Sequence, residues 1–254
     1  MESIDILGPT LILSSRQLIA CRTLKSLIVN GSPRERIHTS MIEALEMGLI
    51  KAGSEITRRR VYALDIKPCL GCFTCWRGTP GICTQEDDMG ALLPLVAQSD
   101  LLLLVTPVYL DGMTGPMKIF IDRLLPLLEG RVEMRGGRLR HPLREGVKRG
   151  KIALMSHSGF PELDTFEPLV AHVKAICENL DREYAGEVLV PSGWHLRRRG
   201  AWDEILGLIA SAGEYLVNEG KFPADISSNI HSMVLRDEVA RAVNAIYCLK
   251  KQTL

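Results

Sequence analysis

The feature that most constrains the fold is an alternation of short apolar runs with segments of helical periodicity. Runs typical of strands occur at 24–30, 55–63, 100–105, 151–156 and 187–190. Apolar residues at helical spacing predict helices at 39–52, 87–98, 115–128, 166–179, 201–219 and 223–247. Strands that alternate with helices form a parallel sheet covered on both faces. The sequence therefore predicts a doubly wound α/β fold with a parallel five-stranded sheet and a C-terminal helical extension.

The same pattern divides the chain into three parts. Residues 1–23 precede the first strong strand and are expected to form an N-terminal extension, unless the start codon is misassigned. Residues 24–192 contain the predicted sheet, and residues 193–254 form the helical extension. A length of 254 residues suits one large α/β domain with such additions.

Charge and cysteine content exclude several classes of protein. The 31 basic and 30 acidic side chains give a net charge of +1, so we expect no nucleic-acid partner. No apolar run has the roughly 20 residues needed to span a bilayer, and Glu2 and Asp5 do not fit a secretory signal. Seven cysteines, four of them within residues 69–83, fit a reducing cytoplasm better than a secreted disulfide framework.

The first of three loops that follow strands has the residues expected to bind a phosphate. In doubly wound sheets the ligand lies beyond the carboxyl ends of the strands. Gly31 permits a tight turn off the first strand, and the next helix offers free backbone N–H groups. The predicted contacts in this loop are Ser32, Arg34, His38, Thr39 and Ser40. Because no GxGxxG string is present, a mononucleotide fits better than a dinucleotide, with an ordinary helix cap as the alternative.

The second and third loops are expected to enclose a planar ring. The second follows the most apolar strand, and its predicted contacts are Pro107, Val108, Tyr109, Gly112 and Met113. The third follows the next strand, and its predicted contacts are Ser156, His157 and Gly159. We expect His157 to lie at the edge of the ring rather than to act as an acid or base. The alternative is an ordinary strand exit with a partly buried tyrosine.

A cysteine-rich loop follows the second predicted strand. Its sequence is Cys69-x2-Cys72-x2-Cys75-x7-Cys83. Gaps of two residues let successive thiolates converge on one centre, and a fourth cysteine nearby gives the spacing of a [4Fe–4S] cluster. Structural zinc sites usually combine two CxxC pairs farther apart, so zinc is the second interpretation. Free thiols that line the ligand site or a subunit contact are the third.

Four strings together resemble the NAD(P)H-dependent FMN reductase family of the flavodoxin-like superfamily. They are GSPRERIHTS, CLGCFTCWRGTPGICTQEDDM, TPVYLDGMTGPMKIFIDR and SHSGF, and the resemblance runs from Leu24 through Ser192. The cysteine string also resembles the iron–sulfur flavoprotein branch of the same superfamily. In one departure, members often have Gly-Asn-Thr where this chain has Ile37-His38-Thr39.

The resemblance implies that the protein binds FMN, with the phosphate in the first loop and the isoalloxazine between the second and third. It implies an oxidoreductase that passes electrons from NAD(P)H to a small acceptor such as a quinone, a free flavin or a metal ion. The iron–sulfur branch implies instead electron transfer between a [4Fe–4S] cluster, FMN and a ferredoxin-like partner. Relatives commonly complete the flavin pocket with a neighbouring subunit, which implies a homodimer or homotetramer.

Overall fold

The computed structural model describes residues 23–33 and 35–248. The predicted N-terminal extension therefore lies outside the described residues, apart from Thr23. Arg34, a predicted phosphate contact, lies outside them as well.

A parallel sheet of five strands forms the centre of the fold. In chain order the strands are β1 Lys25–Asn30, β2 Glu55–Arg60, β3 Leu101–Pro107, β4 Glu133–Arg135, β5 Arg138–Arg140, β6 Lys151–His157 and β7 Glu183–Val190. The sheet has the order β2-β1-β3-β6-β7, and each neighbouring pair is parallel. This arrangement confirms the predicted flavodoxin-like doubly wound sheet.

The helices begin and end partly where the sequence predicts. They are α1 Glu35–Lys51, α2 Thr74–Arg77, α3 Met89–Gln98, α4 Gly115–Asp122, α5 Glu167–Asn179, α6 Gly193–Arg198, α7 Trp202–Glu219, α8 Ile226–His231 and α9 Arg236–Cys248. Helix α1 begins four residues earlier than predicted, because nothing in the string ERIH interrupts a helix. Thr39 and Ser40 therefore lie inside α1 and do not cap it. The predicted helix at 223–247 is two helices, α8 and α9.

Both faces of the sheet are covered by apolar side chains. On one face, Leu102 and Leu104 of β3 pack in a cluster that includes Phe120 of α4 and Val173 of α5. On the other face, alternate residues of β3 pack in a second cluster with side chains of α1 and α7. Every residue of β3 is buried, as expected for a central parallel strand.

Helices α1 and α7 pack so closely that their backbones touch. A Cβ atom added to Gly48 would lie 1.9 Å from the carbonyl oxygen of Ala210, and one added to Gly213 would lie 2.7 Å from that of Leu45. Glycine is required at both positions to avoid this overlap. Because α7 covers one face of the sheet, residues beyond 193 contribute to the main core; the predicted domain boundary at 192/193 stays a prediction.

The predicted surface excursion at 130–150 contains the antiparallel hairpin β4–β5. The hairpin is anchored to the last turn of α5 and the residues after it: Arg135 lies 3.2 Å from Asp181, and Arg140 lies 2.9 Å from Glu178. In the described ranges, none of the helices has both the length and the apolar character needed to cross a membrane.

Candidate flavin site

A cavity of about 1100 Å³ opens at the carboxyl edge of the sheet. The loops that follow β1, β3 and β6 line it together with α6. The lining residues are Ser32, His38, Pro107, Val108, Tyr109, Leu110, Asp111, His157, Ser158, Gly159, Phe160, Thr165, Trp194 and Arg197. The structure thus brings together seven predicted contacts: Ser32, His38, Pro107, Val108, Tyr109, His157 and Gly159. It places them at the sheet edge where a doubly wound fold binds its ligand.

Other predicted contacts lie near the cavity without lining it. They are Thr39, Ser40, Gly112, Met113 and Ser156. Two of them have protein partners: Ser40 Oγ accepts a hydrogen bond from Trp202 Nε1 at 3.1 Å, and Ser156 Oγ donates to the Thr106 carbonyl at 2.7 Å. Their roles toward a ligand, and that of Arg34, stay predictions.

The loop that follows β1, which is predicted to bind a phosphate and is called the phosphate loop below, is fixed against helix α4. A Cβ atom on Gly31 would lie 2.9 Å from Met117 Cβ, so glycine lets the loop approach this helix. Thr114 Oγ1 donates to the Gly31 carbonyl at 2.7 Å. Since α1 begins at Glu35, its first-turn N–H groups follow directly after this loop, and they are suited to an anion.

His38 and His157 form a buried pair at the cavity wall. His38 is 1% exposed, and its Nδ1 lies 3.3 Å from His157 Nε2. Burial first, and the charge of His157 second, lower the pKa of His38 to about 3, so His38 is neutral near pH 7. A neutral imidazole carries one N–H. If His157 Nε2 donates a hydrogen bond to His38 Nδ1, the single N–H of His38 is on its Nε2.

His38 Nε2 is buried and makes no hydrogen bond with any residue that the structure describes. A buried polar atom usually has a hydrogen-bond partner, which here a ligand oxygen would supply. The position beside the phosphate loop suits a phosphate oxygen. The residues present therefore fit a phosphorylated ligand such as FMN.

The loop after β3 contains a strained turn. Tyr109 and Gly112 exchange two backbone hydrogen bonds, of 2.9 and 3.1 Å, around Leu110 and Asp111. Both central residues have positive φ angles, 47° and 59°, which non-glycine residues seldom adopt. Strain of this kind is concentrated at functional sites, and here it presents the ring of Tyr109, 47% exposed, at the cavity.

Helix α6 forms the wall opposite this turn. Trp194 Nε1 donates to the Gly159 carbonyl at 3.1 Å, and the Ser192 N–H donates to the Phe160 carbonyl at 3.0 Å. These bonds attach α6 to the loop after β6. Thr165 also lines the cavity, and the sequence offered no signal for it.

The four cysteines of the 69–83 loop line one small cavity together with Arg123. They are free thiols; Cys75 is buried and Cys72 is exposed. Burial, and then the nearby sulfurs of Cys83, Cys69 and Cys72, raise the pKa of Cys75.

In the described part of the chain, no three or more His, Cys, Asp or Glu side chains are arranged to hold a metal ion. A [4Fe–4S] cluster places one cysteine on each of four irons, so it requires wider sulfur spacing than a single ion does. The four cysteines fit either group in ligand number and chemistry, and the cluster and the zinc ion both stay predictions.

A buried ion pair supports the cysteine loop. Arg123 donates to both carboxylate oxygens of Asp87, at 2.5 and 3.0 Å, and to the Lys67 carbonyl at 2.6 Å. Its Nη2 also lies 3.4 Å from Cys83 Sγ. Burial opposes ionisation of Asp87, but hydrogen bonds from Arg123 and from the N–H groups of Lys67 and Met89 hold its pKa below the usual value. Sequence reasoning missed this role of Arg123.

Comparison with known proteins agrees with the resemblance. Residues 24–140 match the model of the family described as NADPH-dependent FMN reductase. An iron–sulfur flavoprotein of Archaeoglobus fulgidus is 36% identical over 140 residues, which are 55% of this chain and 58% of that protein. An iron–sulfur flavoprotein of Methanocaldococcus jannaschii is 30% identical over 109 residues, which are 42% of this chain and 55% of that protein. The chain thus spans less than two thirds of the length of these relatives.

Solved structures show the same fold. An FMN-dependent NADH-azoreductase from Bacillus anthracis in complex with FMN has a TM-score of 0.59 and 14% identity, covering 77% of this chain and 100% of that chain. An NAD(P)H:quinone oxidoreductase from Methanothermobacter marburgensis has a TM-score of 0.58 and 14% identity, covering 76% of this chain and 97% of that chain. At such identities the likeness establishes the flavodoxin-like fold and nothing finer.

Proposed function

We propose that this chain, whose residues 24–140 match the model of the NADPH-dependent FMN reductase family, is an FMN-dependent NAD(P)H oxidoreductase. The observation that carries the proposal is the cavity of about 1100 Å³, which joins the N-terminal end of α1 to an aromatic wall. The chemistry that FMN supplies when bound is the uptake of a hydride from NAD(P)H and the transfer of two electrons to a quinone, a free flavin or a metal ion.

The residues of the cavity divide between the two ends of FMN. The N-terminal N–H groups of α1, the loop at Ser32 and His38 Nε2 would hold the phosphate, with Arg34, Thr39 and Ser40 as further predicted contacts. Pro107, Val108, Tyr109 and Gly159 would enclose the isoalloxazine. His157 orients His38 through their shared hydrogen bond and would lie at the edge of the ring.

The test is a comparison of FMN with riboflavin, which lacks the phosphate. A charge-assisted hydrogen bond contributes about 1.5–3 kcal/mol, so riboflavin should bind the FMN-free protein at least roughly tenfold more weakly. Flavin fluorescence quenching measures both affinities, and stopped-flow mixing with NADH or NADPH measures flavin reduction. Equal affinities for the two flavins, or no flavin reduction by either coenzyme, would contradict the proposal.

A second candidate function rests on the cysteine loop. Four cysteines line one cavity, and the relatives that match part of the chain include iron–sulfur flavoproteins. In this alternative the loop holds a [4Fe–4S] cluster, which exchanges electrons with FMN and with a ferredoxin-like partner. Iron per FMN, measured after anaerobic purification and reconstitution, distinguishes the two candidates. Iron well below one atom per FMN would leave the plain reductase.

A matched pair of variants sharpens that measurement. Cys72→Ser removes one ligand of the loop and should abolish most bound iron while FMN remains, because the phosphate loop is a separate segment. Cys177→Ser changes a cysteine of α5 that lies outside the loop, so it should retain the iron content of the wild type. Equal iron in both variants would exclude the loop as the cluster site.

A further inference from the structure

We infer that the flavin cavity also receives a flat aromatic molecule that carries an anionic group, with Arg197 of α6 binding the anion and Trp194 contacting the ring. This inference rests on the proposed function, because FMN is taken as the first occupant of the cavity. It names the chemical class of the second occupant, which the family assignment leaves open.

The cavity lies at the upper limit of the size range of small-molecule sites. A pocket for one small molecule or cofactor measures about 300–1,000 Å³, whereas this cavity has about 1100 Å³. Its rim has three aromatic side chains, Tyr109, Phe160 and Trp194. Tyr109 and Phe160 are 47% and 65% exposed, so both rings are accessible to a ligand in the cavity. Such rings suit a planar apolar ligand.

Among the described residues that line the cavity, Arg197 is the one arginine or lysine. Arg197 lies three residues after Trp194, so both project from one face of α6, and both line the cavity. Arg199, by contrast, lies 3.2 Å from Glu238 and is neutralised. The Arg197 side chain makes no hydrogen bond or ion pair with any residue in the described ranges. Its guanidinium therefore remains available to an anion, which it can bind with two parallel N–H groups.

The position of Arg197 is fixed by the rest of α6. On the same helix, His195 and Leu196 are buried against the core, while Trp194 is bonded to the Gly159 carbonyl. The acidic residue of the cavity wall, Asp111, belongs to the turn after β3, on the other side of the β6 loop. Within the described residues, Asp111 and Arg197 form no ion pair. The anionic group should therefore lie at the α6 end.

Two kinds of molecule combine a flat aromatic ring with an anionic group. One is the coenzyme, in which an extra phosphate distinguishes NADPH from NADH. The other is an electron acceptor with an acidic substituent, such as a sulfonated or carboxylated quinone. The experiment uses one pair of probes for each source: NADP⁺ and NAD⁺, and 1,4-naphthoquinone-2-sulfonate and 1,4-naphthoquinone.

For each pair, the readout is the ratio of the values measured for its two members, because a general effect of a variant on both members cancels in the ratio. Coenzyme affinity is measured without turnover, by quenching of tryptophan fluorescence in the FMN-loaded protein. Acceptor preference is measured as the ratio of the two quinone KM values. The variants are Arg197→Gln and, as a matched control, Arg198→Gln, the next residue, which is exposed and does not line the cavity. Arg197→Glu is a second, independent variant.

In one of the two pairs, we expect Arg197→Gln to weaken binding of the more anionic member about three- to tenfold relative to the neutral or less charged member. Arg197→Glu should weaken it further, Arg198→Gln should leave both ratios within twofold of the wild type, and 0.5 M salt should reduce the difference. The affected pair identifies the source of the anion. If both ratios stay within twofold in both Arg197 variants while FMN is bound, this inference is wrong and the proposed function stands. If the wild type binds no FMN, both are wrong.

Discussion

The Arg123–Asp87 pair is the most enclosed charge interaction that supports the cysteine loop, with 1% and 0% of the two side chains exposed. Arg123→Met would leave the Asp87 carboxylate buried without its cation. Loss of one partner of a buried ion pair destabilises a protein by about 3–5 kcal/mol. Asp87 would keep two backbone donors, the N–H groups of Lys67 and Met89, so we expect a loss near the lower limit, about 3 kcal/mol.

Thermal and urea unfolding, followed by circular dichroism, measure this loss. In a protein of this size about 1 kcal/mol shifts Tm by roughly 2–4 °C, so Tm should fall by about 6–12 °C. The control is Arg131→Met, which breaks a pair of 2.6 Å with Glu129 whose side chains are 61% and 31% exposed. That variant should lose less than about 1 kcal/mol.

A double-mutant cycle separates the ion pair from general effects of the substitutions. Asp87→Asn leaves Arg123 buried without its anion, and the double variant removes both charges. The double variant should therefore lose about 2 kcal/mol less stability than the sum of the single variants. Single effects that add to within about 0.5 kcal/mol would refute the reasoning, because the two side chains would then act independently.

Three further predictions concern packing, pH and assembly. Gly48→Ala should destabilise the protein by at least about 1–3 kcal/mol, since its Cβ would lie 1.9 Å from a backbone oxygen, whereas Gly207→Ala, with open space around it in α7, should stabilise the protein by about 0.5–1 kcal/mol in the same unfolding assay. Because the folded pKa of His38 is about 3 and the unfolded value is 6.5, the unfolded FMN-free chain binds the proton first as pH falls. Because of His38, the free energy of unfolding should therefore fall by about 2 kcal/mol between pH 6.5 and 5, and this decrease should disappear in His38→Asn. An unchanged pH dependence in that variant would contradict the assignment. We also propose a homodimer or homotetramer, so light scattering should give a multiple of 28.2 kDa, and a monomer at micromolar concentration would exclude it.

The sheet could be predicted from the sequence because its strands are defined by local composition. The continuous apolar run of β3 indicates a strand buried on both faces, and the loops after β1, β3 and β6 must then meet at one edge. Helix boundaries were less predictable. The hydroxyl groups of Thr39 and Ser40 resemble a cap, but the preceding residues already form a turn of α1.

The remaining features depend on contacts between distant parts of the chain. Arg123 and Asp87 are 36 residues apart, and nothing in the local pattern of either indicates their pairing. Helix α6 has six residues, too few to show a helical period, so the wall that it forms could not be predicted. Thr165 reaches the cavity from the segment before α5, again without a local signal.

Helix α4 connects the two candidate redox sites directly. At its N-terminal end, Thr114 is bonded to Gly31 of the phosphate loop, and at its C-terminal end Arg123 contacts Cys83 of the cysteine loop. The helix has eight residues and is therefore about 12 Å long. Electron tunnelling decays steeply with distance, so if FMN and a cluster occupied these sites of one chain, the length of this helix would contribute to the separation that limits the rate. Its Gly and Pro lie in the first turn, so the rest of α4 continues between the two sites without a helix-breaking residue.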